Sequence, residues 1–252
     1  MENIIKISPS SVQTLDKCPR AWFFRYIKKL YPDVEKDGAA EFGSFVHDIA
    51  ENFKKCSISE YKELVKKSLA KFKLTDKYRA KVGHATKNLY IYCMKKFAET
   101  DIIEKERKIE LPYKDKFFLT GKLDVLHVRD NIISIVDYKT SKSESDYSFQ
   151  LSFYLHLLKL INYVKSDTLE CEIVYLCNED HDEELYVSKY TIDLKDVESA
   201  IARINALITT YKALGTDDIN KWRKKIGKLC KYCDYYKSKN CDGKEDDIKD
   251  EN

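Results

Sequence analysis

Two β-like runs, residues 117–128 and 132–140, stand on either side of Asp130-Asn131, and no other feature constrains the chain as much. Asp-Asn suits a tight hairpin turn. With that pair as the loop, the register follows by counting. Arg129 faces Ile132, Val128 faces Ile133, Leu126 faces Ile135, and Asp124 falls opposite Asp137. Directly opposed Cβ atoms on antiparallel strands are roughly 5 Å apart, and like charges there destabilise the sheet. Leu126, Val128, Ile133 and Ile135 share the acids' face, so the carboxylates point to the apolar side, where unpaired charge is most costly. A divalent cation offsets this, and oxygen ligands suit Mg²⁺ or Mn²⁺. Alternation places Lys139 on the face of Asp137, where an ammonium can polarise water or hold charge developing on phosphorus. The plainer reading makes these strand-end acids, with a lysine reaching to water.

The rest of the chain alternates helices and strands around this hairpin. Ser8-Pro9 opens a short helix, and Cys18-Pro19 ends it and starts another that is rich in aromatic and basic residues. There Trp22, Phe23 and Tyr26 read as core, the alternative being a base-stacking face with Arg20, Arg25, Lys28 and Lys29 at phosphates. Residues 41–55 place Phe42, Phe45, Val46, Ile49 and Phe53 on one helical face with His47 beside them. Residues 59–74 and 77–99 predict two further helices, a lobe beside the sheet. Residues 102–113 alternate as a strand, in which Glu106 reads as a surface acid before a ligand. A helix over 147–161 sets Gln150 and Tyr154 one turn apart. Strands over 169–177 and 184–192 and a helix over 194–213 follow.

With 43% hydrophobic residues the 252-residue chain is expected to fold, and its 35% charged residues hide an asymmetry. Residues 242–252 hold six acids and two lysines, a charge of −4, which leaves +7 on residues 1–241 out of a total of +3. That excess is compatible with a polyanionic partner. No apolar run approaches the roughly 18 residues of a membrane span, and the first residues lack a signal-peptide core, so a cytoplasmic protein without membrane contact is expected. No Gly-rich phosphate loop occurs, so any motor activity belongs to a separate partner such as a helicase. Cys230, Cys233 and Cys241 lie within twelve residues, which in a reducing compartment is ligand material. Cys56, Cys93, Cys171 and Cys177 sit in apolar segments and read as core.

Five motifs together carry a resemblance. They are G-x-x-x-H (Gly43, His47), G-x-x-D (Gly121, Asp124), D-x-K (Asp137, Lys139), Q-x-x-x-Y (Gln150, Tyr154), and a serine, Cys-Pro and tyrosine at Ser11, Cys18, Pro19 and Tyr26. The set resembles the PD-(D/E)XK nuclease superfamily, and within it the RecB-type exonucleases, which include small CRISPR-associated adaptation nucleases and phage relatives. The resemblance implies an α/β, restriction-endonuclease-like core: a mixed central sheet flanked by helices, with a helical lobe and a C-terminal iron-sulfur staple. It implies a single nuclease domain over 1–241, with the lobe at about 48–100, the catalytic core at about 101–192 and the cysteine segment at 228–241. An acidic disordered tail over 242–252 would follow.

By the same resemblance the chain hydrolyses DNA with Mg²⁺ or Mn²⁺ held by His47, Asp124, Asp137 and the Tyr138 carbonyl. Lys139 assists the nucleophile, and Gln150 and Tyr154 touch the backbone near the metal. Cys18 joins Cys230, Cys233 and Cys241 around a 4Fe-4S cluster, with zinc as the competing metal. Seven residues between Cys233 and Cys241 depart from the family's usual five. Recombination, repair, phage DNA processing or CRISPR spacer acquisition in a bacterial or phage-infected cell is the implied setting. A non-catalytic DNA-binding scaffold and a metal-dependent structural subunit are the readings from other classes.

Overall fold

In the computed structural model the described residues are 4–34, 37–97, 102–129, 132–141, 144–177, 185–216 and 218–242. The chain opens with β1 (Ile5–Ile7), α1 (Pro9–Lys17), α2 (Pro19–Trp22) and a π-helical turn (Phe23–Ile27). Next come α3 (Ala39–Asn52), α4 (Ile58–Leu69), α5 (Asp76–Arg79) and α6 (Val82–Lys96). Strands β2 (Ile102–Lys114), β3 (Phe117–Arg129) and β4 (Ile132–Lys139) lead to α7 (Ser148–Leu160). Strands β5 (Leu169–Tyr175) and β6 (Tyr186–Ile192), then α8 (Leu194–Leu214) and α9 (Asp234–Lys237), complete a mixed α/β fold. Strand pairing runs β1-β3-β4-β5-β6, with β2 also on β3. The turn pair Asp130-Asn131 and the acidic tail beyond Asp242 lie outside the described residues.

Helix starts follow from local side-chain chemistry. The Ser8 Oγ accepts from the Ser11 amide at 3.2 Å while the Ser11 Oγ accepts from the Ser8 amide at 2.9 Å, and Pro9 takes the first turn of α1. Ser57 and Glu60 repeat this reciprocal cap ahead of α4. The single helix expected over 77–99 is broken into α5 and α6 between Arg79 and Val82.

The chain forms two compact units, one of residues 36–109 and 122–197, the other of 1–35, 110–121 and 198–252. In the first, β3 and β4 pair antiparallel with Arg129 on Ile132, Val128 on Ile133 and Leu126 on Ile135. This is the register counted from the sequence, and carried one pair beyond Val125 and Val136 it brings Asp124 level with Asp137. β4 pairs parallel with β5, and β5 antiparallel with β6. Phe42, Phe45, Val46 and Ile49 of α3 and Leu89 of α6 form one core with Val125, Val136, Tyr138 and Val174 of the sheet. Alternation sends Leu126, Ile135 and Asp137 to the other face. α7 is buried at every residue from 151 to 158, as a helix apolar all round must be.

In the second unit, β1 pairs parallel with the start of β3, Ile5 on Phe117. Its core is aromatic. Trp22 and Trp222, both fully buried, stack at 5.1 Å between ring centroids, and Phe24 stacks on Tyr235 at 5.0 Å. Arg20 Nε donates to the Trp222 carbonyl at 2.9 Å, and the Tyr235 hydroxyl donates to the Leu30 carbonyl at 3.1 Å. Trp22 and Phe23 are therefore core and offer no face to a base.

Candidate active site

Three elements of the first unit bring ligand atoms together. His47 comes from α3, Glu106 from β2 and Asp124 from β3. His47 Nδ1 lies 3.4 Å from Glu106 Oε1 and 3.4 Å from Asp124 Oδ1. Among the described residues this is the only trio of His, Cys, Asp or Glu whose ligand atoms all lie within 4.8 Å of one another. It opens onto a cavity of about 550 Å³ whose lining includes Gly43, Ser44, Asp48 and Lys122.

Glu106 was expected at the surface. Its side chain is only 7% exposed, facing His47 and ion-paired with Lys122. Its backbone sits at φ +52°, a left-handed conformation rare for glutamate and costing of order 1–3 kcal/mol. A strand pattern cannot foretell that turn, which breaks the alternation and re-aims the side chain. Lys122 was also missed, although it shares the parity of Asp124 along β3, which was signal enough.

Asp137 and Lys139 form the adjoining half. Lys139 Nζ lies 2.6 Å from Asp137 Oδ2 and 4.6 Å from the ring centroid of Tyr147. Gln150 Nε2 donates to Asp137 Oδ1 at 2.6 Å and to the Tyr154 hydroxyl at 3.1 Å, and that hydroxyl donates to the Lys122 carbonyl at 2.9 Å. Gln150 and Tyr154 are thus engaged inward, Tyr154 with 6% exposure. The Tyr138 amide donates to Asp124 Oδ2 at 2.8 Å, while its ring is buried in the core.

Electrostatics reflect the crowding. Burial first, and then the neighbouring Asp137 charge, push Asp124 up to about 7, against the pull of His47. Burial works against the charged form of His47, but Glu106, Asp124 and Asp137 outweigh it and raise its pKa. Burial likewise opposes the Lys139 ammonium, and Asp137 overrides it upward. Glu106 ends below the usual carboxylate range because His47 and Lys122 outweigh its burial. A buried acid held near neutrality beside another acid lacks positive charge. Two carboxylates and an imidazole at an open cavity are a donor set that suits a hard divalent ion.

The cysteines do not form the expected centre. Cys18, Cys230, Cys233 and Cys241 are free thiols that all line one cavity of about 290 Å³ in the second unit. Their sulfurs are not arranged as a cluster, and among the described residues no three of them come together as ligands of one ion. Helix α9 takes up the chain between Cys233 and Cys241, and stacked rings already hold this segment to the first helices. Cys93, Cys171 and Cys177 are buried as expected, and Cys56 is half-buried.

No helix among the described residues is long and apolar enough to cross a membrane. No curated protein matches the chain. A Eubacterium rectale protein named as a candidate exonuclease is similar in structure, with a TM-score of 0.54 at 12% identity over 84% of this chain and 83% of its own. The alkaline exonuclease of Laribacter hongkongensis gives a TM-score of 0.34 at 13% identity over 69% of this chain and 92% of its own. At such identity the first likeness speaks for the fold alone, and the second carries no argument. The sequence profile of the PD-(D/E)XK nuclease superfamily matches residues 6–238, which span the histidine, both aspartates, the D-x-K lysine and the helix behind them, and the chain belongs to that superfamily.

Proposed function

We propose that this chain is a Mg²⁺- or Mn²⁺-dependent deoxyribonuclease of the RecB type, acting as an exonuclease on DNA ends or single strands within one nuclease domain over 1–241. The observation that carries the reading is the convergence of His47, Glu106 and Asp124 beside the Asp137–Lys139 pair. His47, Glu106, Asp124 and Asp137, with the Tyr138 carbonyl, would hold the cation. When bound, the cation lowers the pKa of water and neutralises charge on the scissile phosphate.

The chain's own residues do the rest. Lys139, kept protonated by Asp137, orients the attacking water and donates to the oxygen on which negative charge builds. Gln150 fixes Asp137, and Tyr154 ties Gln150 to the backbone of Lys122, so both are positioning residues. Unwinding, where the pathway needs it, falls to a separate helicase or to the recombination or adaptation proteins the chain would serve.

The test is cleavage of end-labelled single- and double-stranded DNA with Mn²⁺, Mg²⁺ or EDTA, alongside Lys139→Ala and Asp137→Ala. Metal-dependent cleavage lost in both variants is the expected result. Wild type that binds DNA but never cuts it under any metal would overturn the reading in favour of a non-catalytic scaffold.

A further inference from the structure

We infer that the unit made of residues 1–35, 110–121 and 198–252 carries a surface that binds single-stranded nucleic acid, built from residues outside the candidate active site and centred on Tyr232. The inference rests on nucleic acid being the partner proposed above.

Charge comes first. Residues 219–241 hold eight lysines and arginines against one acid, Asp234. This stretch forms short helical turns, and its Lys225, Lys228 and Lys231 are exposed. Large apolar side chains stand out among these cations instead of turning inward. Tyr232 is 68% exposed, Leu229 61% and Ile226 38%. All three rim the cavity of about 290 Å³ that Lys17, Lys224 and Lys225 also line. Lys231 Nζ lies 5.3 Å from the Tyr232 ring centroid.

One of these cations, Lys224, already holds an anion together with Arg20. Asp242, whose side chain is 82% exposed, places its carboxylate 2.7 Å from Lys224 Nζ and 3.9 Å from Arg20 Nη1. Arg20 itself is fixed in place by its bond to the Trp222 carbonyl. The carboxylate stands in water while the two cations are largely covered, so a phosphate can take the carboxylate's place on them. A basic track that follows a backbone, with an exposed ring on which a base can stack, is how single strands are bound without sequence preference. A duplex keeps its bases stacked inside and offers the ring nothing. A protein partner would use the apolar rim but would need matching acids to meet the lysines.

The experiment is fluorescence anisotropy of the full chain in EDTA, with a short fluorescein-labelled oligothymidylate and a labelled hairpin duplex. Tyr232→Ala is expected to weaken single-strand binding about 5- to 100-fold, with the duplex little changed, and Tyr232→Phe to retain it. Lys225→Gln, Lys228→Gln and Lys231→Gln together should reduce the slope of log affinity against log salt by about 2. Tyr232 is exposed, so its truncation leaves the fold intact, as the melting temperature will check. Single-strand binding by Tyr232→Ala within about twofold of wild type, an equal loss on the duplex in that variant, a salt slope unchanged in the triple lysine variant, or no binding by wild type would overturn the inference. Hydrolysis of a p-nitrophenyl phosphodiester with Mn²⁺, which offers no base to stack, is read in parallel. If wild type leaves that ester intact while Tyr232→Ala loses the single strand, the nuclease reading fails and this inference stands.

Discussion

The amide of Tyr138 donates to Asp124 Oδ2 at 2.8 Å, so the strand whose Asp137 repels this carboxylate also anchors it. Asparagine at 124 keeps an oxygen for that amide but loses the charge. Asp124→Asn is therefore expected to melt at or above the wild-type temperature in EDTA at alkaline pH. With Mn²⁺ its cleavage should fall by at least about 100-fold, since a cation's charge stabilisation is worth several kcal/mol. A variant that melts lower in EDTA would show that the carboxylate stabilises the metal-free fold.

Metal-free protein should lose stability as pH rises toward neutrality. Asp124 titrates near 7 in the fold against 3.8 in the unfolded chain, so in that window the native state binds a proton that the unfolded state does not. Its contribution is full at acid pH and is lost as pH climbs to about 7. His47, raised from 6.5, acts in the same direction, its contribution fading as pH passes through its raised value. In EDTA, the melting temperature of wild type should drop more than that of Asp124→Asn between about pH 5 and about pH 8. Mn²⁺ should reverse the loss at the alkaline end, where it no longer competes with protons. Parallel pH profiles for the two proteins would contradict the assignment.

Tyr147 cradles the catalytic lysine proposed here. With Lys139 Nζ 4.6 Å from the ring centroid, Tyr147→Ala removes a cation–π contact of about 0.5–2 kcal/mol. The expected result is a kcat about 2- to 30-fold lower with KM little changed, and an alkaline limb of the pH–rate profile moved down as Lys139 loses support. Tyr147→Phe should retain most of the rate. Steady-state cleavage of an end-labelled strand distinguishes these outcomes.

Tyr154→Phe removes the hydroxyl that links Gln150 to the Lys122 carbonyl behind the site, and leaves Gln150 its bond to Asp137. Urea denaturation should show a cost of about 1–3 kcal/mol. Gln150→Ala, which frees Asp137 Oδ1 and leaves Lys139 on that carboxylate, should instead lower kcat more than stability.

Trp222→Ala opens the fully buried ring stack with Trp22 and is expected to cost about 3–5 kcal/mol. Denaturant unfolding followed by the fluorescence of Trp22 measures it. A loss below about 1 kcal/mol would mean that the rings meet without supporting the unit.

The hairpin was legible because its evidence is local. Alternating apolar residues fix the faces of β3 and β4, and a two-residue gap fixes their register, so the level of Asp124 and Asp137 can be counted without coordinates. Glu106 was not legible for the opposite reason. It stands among charged neighbours on β2, and a left-handed backbone turns it inward against the strand period. Trp222 was missed because a stack formed across two hundred residues leaves no spacing to read. The cysteines misled because sharing a cavity is not ligation: Cys18, Cys230, Cys233 and Cys241 all line one cavity, yet their sulfurs are not gathered around a single ion.

The stack of Trp22 on Trp222 also bears on the order in which the protein can be made. Residues 36–109 and 122–197 make up the whole unit bearing His47, Asp124 and Asp137, so it can close while later residues are still on the ribosome. The other unit cannot, because Trp22 must wait for a partner translated two hundred residues later. Closing so long a loop adds little to the equilibrium cost, since that entropy grows only logarithmically, but it is slow. During synthesis Trp22, Phe23 and Phe24 therefore stand exposed on the nascent chain, which makes the first helices the segment most in need of a chaperone.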